Sequence, residues 1–460
     1  MKKPNILIVY TDQQRWDALG AAGNTEIQTP HLDRLAAEGL YCDHAFVQNP
    51  LCMPSRISFL SGQYPSTLGI THMGVPVPDT VPVLPKLIRP YGYTCANFGK
   101  LHFLPHANRD HSEPHPSYGF DQLEVSDEPG CYEDAYRAWI RRKDPRQLAA
   151  SSPGLPQAAA AWRRVMGGAD AIRHPERPSK RVREFAGDAG FTHTAFVAER
   201  TMSFIEENEG RPWLCIAGFY SPHSPWIAPR AYLERYDEAG LSLARHEMDP
   251  QWPADISEAE LRQAKKGYYA MISEVDHWVG QLVQRLEDTG QREDTIIVFT
   301  SDHGEFLGEH GRYGKGAPGP DCVARVPLII QGKGCLPGQV YSGLVEAVDV
   351  LPTLLEAVGV PVPPQLQGRS LYPLMTGGSV EDKACALMEH DGWKNIRTKD
   401  YRYVLGRDGS EQLYDLVHDP AEYTDLADDA SYGKVLAELR LLMLRRMLEI
   451  EAPLPRAWAY

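Results

Sequence analysis

The sequence predicts an α/β protein, with a large, mostly parallel sheet sandwiched by helices and a small antiparallel-sheet subdomain at the C-terminus. Three observations carry this. Short β-rich apolar runs alternate with stretches of helical spacing, the pattern of βαβ units. Four of those runs end directly in Asp, His or Lys clusters, and open α/β sheets bind ligands outside the carboxyl ends of their strands. From about Leu371 the alternation shortens and turn signals crowd together.

Taken in order, NILIVYT (5–11) reads as a first strand buried on both faces. TPHLDRLAAEGL follows as a helix, with Thr29 as N-cap, Pro30 at its first position and Gly39 closing it. Cys52 and Arg56, four apart, share one face of a helix opening near Pro54 and ended by Gly62, about two turns long. Cys52 then sits at a helix N-terminus, where free N–H groups favour negative charge. Further strands are YTCANF (93–98), WLCIAGF (213–219), TIIVFTS (295–301) and VPLIIQ (326–331). Between His106 and Arg183 the pattern weakens into a loop-rich insertion, placed at about 105–190. A long amphipathic helix runs from about Glu258 to Thr289. WKNIRTKDYRYVLGRDGSEQLYDL holds three short segments split by KD and RDGS turns, and a last helix, Tyr432 to Glu449, packs on them. The chain divides into 1–370 and 371–460.

Composition narrows the function. With 47 basic against 61 acidic residues the net charge is −14, which argues against nucleic acid or an anionic membrane as the main partner. The apolar run after MKKPN is too short for a signal peptide, and no run reaches membrane-spanning length, so a cytoplasmic protein is expected. The eight cysteines are scattered without a CxxC pair, so free thiols are expected, and seven read as small hydrophobes. Cys52, beside Pro54 and Arg56, stands apart. The aromatic tail LPRAWAY offers a contact surface for a homo-oligomer.

The four strand-end clusters are Asp12-Gln13, Lys100-Leu101-His102, His223 and Asp302-His303-Gly304. All bear metal-ligand or acid/base residue types. Lys100 and His102 are two apart, so an extended backbone would point both to one side.

Cys52-Met53-Pro54-Ser55-Arg56, followed by Ser61-Gly62, resembles the signature of the formylglycine-dependent sulfatases of the alkaline phosphatase superfamily. NILIVYTDQQRWDALG, TPHLDRLAAEG, FGKLH, YYAMISEVDHWVGQLVQRLEDTGQREDTIIVFTSDHGE, RVPLII and IRTKDYRYVLGRDGSEQLYDLVHDPAEYTDLA fall in the same family order. The resemblance implies an alkaline phosphatase-like fold and hydrolysis of a small sulfate monoester through a covalent sulfated intermediate. It implies that a formylglycine-generating enzyme oxidises Cys52, and that the hydrate is the nucleophile. Asp12, Gln13, Asp302 and His303, with residue 52, match the ligands of one divalent ion. Calcium is the family's metal, and manganese is the alternative because imidazole suits it better. Arg56 matches the group that orients residue 52. Lys100, His102, His223 and Lys315 (in YGKG) match sulfate-binding and proton-transfer groups. His223 is the candidate acid with Lys315 as alternate, and His102 the candidate base, the two histidines being exchangeable. His72, in GITHMGVP, matches a substrate-contacting loop. Gln13 and His303 replace the commoner Asp and Asn, as in the branch that includes choline sulfatases and phosphonate monoester hydrolases. The second reading is therefore a phosphonate monoester or phosphodiester hydrolase, although such enzymes tend to carry uncharged groups where Lys100 and His102 stand. A non-catalytic binding protein is the third.

Overall fold

The structure is a computed structural model and describes residues 3–105, 114–130, 133–151, 182–243 and 257–451. Residues 106–113, 131–132 and 152–181 of the predicted insertion, and the LPRAWAY tail, lie outside them. Strand β1 (Asn5–Asp12) is buried along its whole length. Ile6, Ile8 and Tyr10 face one core and Leu7 and Val9 the other, the alternation a pleated strand imposes. The other strands of this sheet are β2 (Leu40–Phe46), β3 (Thr94–Gly99), β4 (Gln122–Val125), β5 (Trp213–Pro222), β6 (Thr295–Ser301), β7 (Arg325–Gln331), β8 (Gln339–Tyr341) and β9 (Val345–Glu346). Their order is β8-β2-β7-β6-β1-β5-β3-β4, with β9 also on β2. Only β7 runs against its neighbours, pairing antiparallel with both β6 and β2.

Helices cover both faces, so each strand loses its apolar side chains to one of two cores. On one side lie α1 (Pro30–Ala37), α3 (Ala135–Lys143), α4 (His193–Glu207) and α5 (Glu258–Asp288). On the other lie α2 (Cys52–Ser61) and α6 (Val350–Ala357). The strand β2 was not expected from the sequence. Asp43 and His44 interrupt its apolar run, and the register with β7 shifts there, between Cys42 and Ala45. Among the described residues no helix is long and apolar enough to cross a membrane.

The C-terminal sheet has four antiparallel strands rather than three: β10 (Ala386–Glu389), β11 (Trp393–Arg397), β12 (Tyr401–Gly406) and β13 (Glu411–Asp415). The additional ALME segment is buried at all four positions, so it shows no alternation to read. Helix α7 (Gly433–Glu449) lays Leu436, Leu439 and Met443 on Leu387, Ile396 and Leu413. Buried ion pairs fix this unit to the large sheet. Arg402 joins Asp321 to Glu422, and Glu346 accepts from both Lys383 and Arg446 (2.7 and 2.8 Å).

Thr29 precedes α1 as expected but does not cap it with its side chain. Its hydroxyl instead accepts from the Gly20 N–H (2.9 Å), and Asp276 in α5 accepts from Leu32 N–H (2.8 Å). Burial pushes Asp276 up from its ordinary 3.8 to about 7. A carboxyl raised on folding favours the folded state only in its protonated form, so stability is lost as pH rises from 3.8 through about 7. Asp276→Asn keeps the acceptor without the charge. It should stabilise the protein above pH 7 by on the order of 2–4 kcal/mol, with the gain shrinking as pH falls through that window. Denaturant melts across pH check this, and a pH-independent difference would contradict it.

Candidate active site

Strands β1 and β6 pair in register, Thr11 opposite Ser301, so Asp12 and Asp302 emerge side by side at their carboxyl ends. Lys100 follows β3 and His223 follows β5, both on the same edge. Helix α2 starts at Cys52 and stops at Gly62, whose φ of 65° is the left-handed conformation a helix stop needs. Asp12, Cys52, Asp302 and His303 are all buried, with ligand atoms within 4.8 Å of one another. The Cys52 Sγ lies 3.3 Å from His303 Nε2 and 3.8 Å from Asp12 Oδ1, and Lys315 Nζ donates to it at 2.6 Å.

Three cations answer the buried carboxylates. Arg56 Nε donates to Asp302 Oδ2 (2.7 Å), and its terminal nitrogens donate to the carbonyls of Lys100 (3.1 Å) and Thr11 (3.3 Å). Its guanidinium lies 4.6 Å from the centre of the Tyr10 ring. Lys100 pairs with Asp12 and lies 3.6 Å from Glu128. Burial alone would push Asp12 up, but Lys100, His223 and Lys315 hold it well below the usual carboxylate range. Burial and the Asp12 charge push the Cys52 thiol up to about 11, so the unmodified side chain is a thiol rather than a thiolate at neutral pH.

The donors fit a divalent cation. His303 Nδ1 donates to the Gly304 carbonyl (2.8 Å), which turns the Nε2 lone pair towards Asp12 and Cys52. Burial pushes this imidazole down to about 4, so it is neutral and free to ligate. Gln13 sits at φ 71°, a strained conformation for a non-glycine residue. Its N–H donates to Asp302 Oδ1 (3.0 Å) and its side-chain amide to Glu305. The Gln13 Oε1 is buried without a hydrogen-bond partner. Two carboxylates, an imidazole and this amide oxygen make a mixed set that suits calcium or manganese.

The other expected residues fall at varied distances. His223 is partly buried, its Nδ1 within 2.6 Å of the Ser224 carbonyl and 2.7 Å of the Tyr220 hydroxyl, and burial pushes it down to about 3. His102 is buried, but its backbone is not extended. The N–H groups of Leu101 and His102 both donate to Asp127 Oδ1 (3.0 and 2.7 Å), and this turn puts His102 at φ 55°. The same-side argument for Lys100 and His102 therefore fails. His72 lies on an exposed loop, 3.8 Å from Asp391. Glu128, Tyr220 and Glu305 were missed. Glu305 adjoins the Asp302-His303 cluster in SDHGE, Tyr220 adjoins a strand end, and Glu128 had no local signal.

A mostly parallel sheet with such a cluster at its strand ends defines a hydrolase of the alkaline phosphatase superfamily. The sulfatase family model matches residues 4–360, and the chain belongs to this family of sulfuric ester hydrolases. A second model, N-sulphoglucosamine sulphohydrolase, C-terminal, matches residues 308–449. The chain is 27% identical to an arylsulfatase of Clostridium perfringens, over 97% of this chain and 94% of the relative. It is 29% identical to the choline-sulfatase of Rhizobium meliloti, over 93% and 83%. The crystal structure of the phosphonate monoester hydrolase of Agrobacterium radiobacter superposes with a TM-score of 0.83, at 26% identity over 98% of this chain and 96% of that one.

Arg56→Ala would leave Asp302 buried beside Asp12 without its cation, and should cost about 3–5 kcal/mol of stability. Arg56→Lys keeps the charge but loses the fork that spans three acceptors, and should cost less. Urea unfolding of the two variants checks the order, and a cost below about 1 kcal/mol for Arg56→Ala would contradict it.

Proposed function

We propose that this chain hydrolyses a small sulfate monoester, with residue 52 as the nucleophile after oxidation of Cys52 to formylglycine by a formylglycine-generating enzyme. The observation that carries the reading is the place of Cys52. Its side chain lies among the metal donors and against Lys315, at the first position of a buried helix. A divalent ion held by Asp12, Gln13, Asp302 and His303, calcium on family grounds or manganese on donor chemistry, would supply Lewis-acid polarisation and favour the ionised form of a hydroxyl at position 52.

The chain's own groups supply the rest. Asp12, Asp302 and Glu128 are offset by Arg56, Lys100 and Lys315, so a divalent cation leaves the pocket net positive despite the chain's overall charge of −14. That suits an anionic ester. Lys100 and Lys315 are placed to offset charge on non-bridging oxygens. Arg56 fixes Asp302 and the turn at Lys100, and so the frame in which residue 52 sits. Two groups can protonate the leaving alcohol. Lys315 is held in its charged form by the Asp12 carboxylate against the effect of burial. His223, pushed down by burial, takes that role only when an anionic ester beside it raises it again. His102 is the candidate base for release of sulfate.

The likeness to a phosphonate monoester hydrolase structure supports a second reading, a phosphonate monoester or phosphodiester hydrolase with the same nucleophile. The buried charge of Lys100 favours the sulfatase. Matched aryl sulfate and aryl phosphonate assays decide between them. The sulfate is expected to show the higher kcat/KM by about tenfold or more, about 1.4 kcal/mol of transition-state binding; the reverse order would overturn the preference. Cys52→Ala should abolish turnover with an unchanged circular dichroism spectrum. Peptide mass spectrometry across residue 52, on protein made alongside a formylglycine-generating enzyme, should find an aldehyde. A thiol alone there, or activity in Cys52→Ala, would end the mechanism.

A further inference from the structure

The ligand Gln13 carries a problem that a carboxylate at the same place would not. An amide has two ends, and only its oxygen can meet a cation. Something must hold the nitrogen away from the metal.

That group is Glu305, which is fully buried. One of its carboxylate oxygens accepts from the Gln13 side-chain amide. The other accepts from the backbone N–H groups of Leu307 (3.0 Å) and Gly314, the residue before Lys315. Burial pushes Glu305 up to about 7; in its ionised form it presents only an acceptor to Gln13, so the amide nitrogen faces it and Oε1 turns away, buried and without a hydrogen-bond partner. The backbone of Glu305 is pinned as well. Its N–H donates to the Cys322 carbonyl (3.1 Å), its carbonyl accepts from Arg15 (3.0 Å), and Gly304 N–H donates to the Val323 carbonyl (2.7 Å). The approach is so close that a Cβ on Gly304 would lie 2.1 Å from the Cys322 oxygen. Glu305 therefore has a fixed origin from which to hold Gln13.

We propose that Glu305 is a positioning residue that fixes the Gln13 amide with its oxygen towards the metal, and that its second oxygen ties this ligand to the loop carrying Lys315. The proposal rests on the reading of Gln13 as a ligand of a divalent ion. Groups of this kind set metal affinity by about 10–100-fold. Glu305→Gln has one acceptor oxygen for three N–H donors. With its NH2 towards residue 13, the Gln13 amide turns over and offers the cation nitrogen in place of oxygen.

The test is a double-mutant cycle on Mn2+ affinity, measured by isothermal titration calorimetry, repeated with Ca2+, on the full chain. Glu305→Gln should weaken binding by about 10–100-fold. In a Gln13→Asp background, where no amide can turn over, the same change should alter affinity by less than about threefold. If Glu305→Gln does not accumulate as folded protein, Glu305→Asp keeps the charge but withdraws it by one methylene. It should show a loss in the same direction that again vanishes with Gln13→Asp. Wild-type protein that takes up neither ion would overturn the metal reading itself, and the proposal with it. Wild-type protein that binds while Glu305→Gln matches it would overturn only the role of Glu305. An equal loss in both backgrounds would show that Glu305 acts through the 307–314 loop and not through Gln13, and would also overturn the proposal.

Discussion

Two like charges buried side by side set the terms for the rest of the molecule. Asp12 and Asp302 leave adjacent parallel strands in register, inside a sheet covered on both faces, where neither carboxylate has water to screen it. Burial alone would drive Asp12 to take up a proton. The surrounding architecture works against that. Arg56 arrives on a buried helix to meet Asp302, and Lys100 arrives at the end of β3 to meet Asp12. The long loop after β6 folds back to deliver Lys315. The site is thus less a pocket lined with residues than a balance of charge, assembled from five separate segments and left ready for one more cation.

Much of this was legible because the constraints were local. A strand buried on both faces is written as a short apolar run, and the polar residues closing β1, β3, β5 and β6 marked the edge where function would gather. The position of Cys52 and the stop at Gly62 followed from helix spacing and from glycine's tolerance of a positive φ. What escaped was set by distant partners. The reversed direction of β7 leaves no mark on VPLIIQ, because an interior strand is apolar whichever way it runs. Thr29 occupied its expected place, yet the acceptor serving that helix end came from Asp276 in another helix. His102 obeyed Asp127 rather than the strand before it, and Glu128 meets Lys100 only through the fold.

The antiparallel sheet at the C-terminus is joined to this balance. Arg402 on β12 is completely buried and holds both Asp321 and Glu422. Asp321 opens the short helical turn whose Cys322 and Val323 carbonyls receive the N–H groups of Glu305 and Gly304. An uninterrupted series of hydrogen bonds and ion pairs therefore runs from the last sheet to the loop behind His303. Buried pairs of this sort contribute little net stability, because desolvation consumes most of their attraction. Their effect here is to fix one arrangement of the loop that carries His303 and Glu305.

Helix α2 is buried at all ten of its positions, and Cys52 is 1% exposed. No enzyme large enough to oxidise a side chain can reach it there. His303, which walls it in, lies 251 residues later in the chain. Under the proposed oxidation of Cys52, residues 52–56 would have to be read as an open segment, before the rest of the chain closes over them. On that proposal, folding itself would set the moment after which residue 52 can no longer be changed.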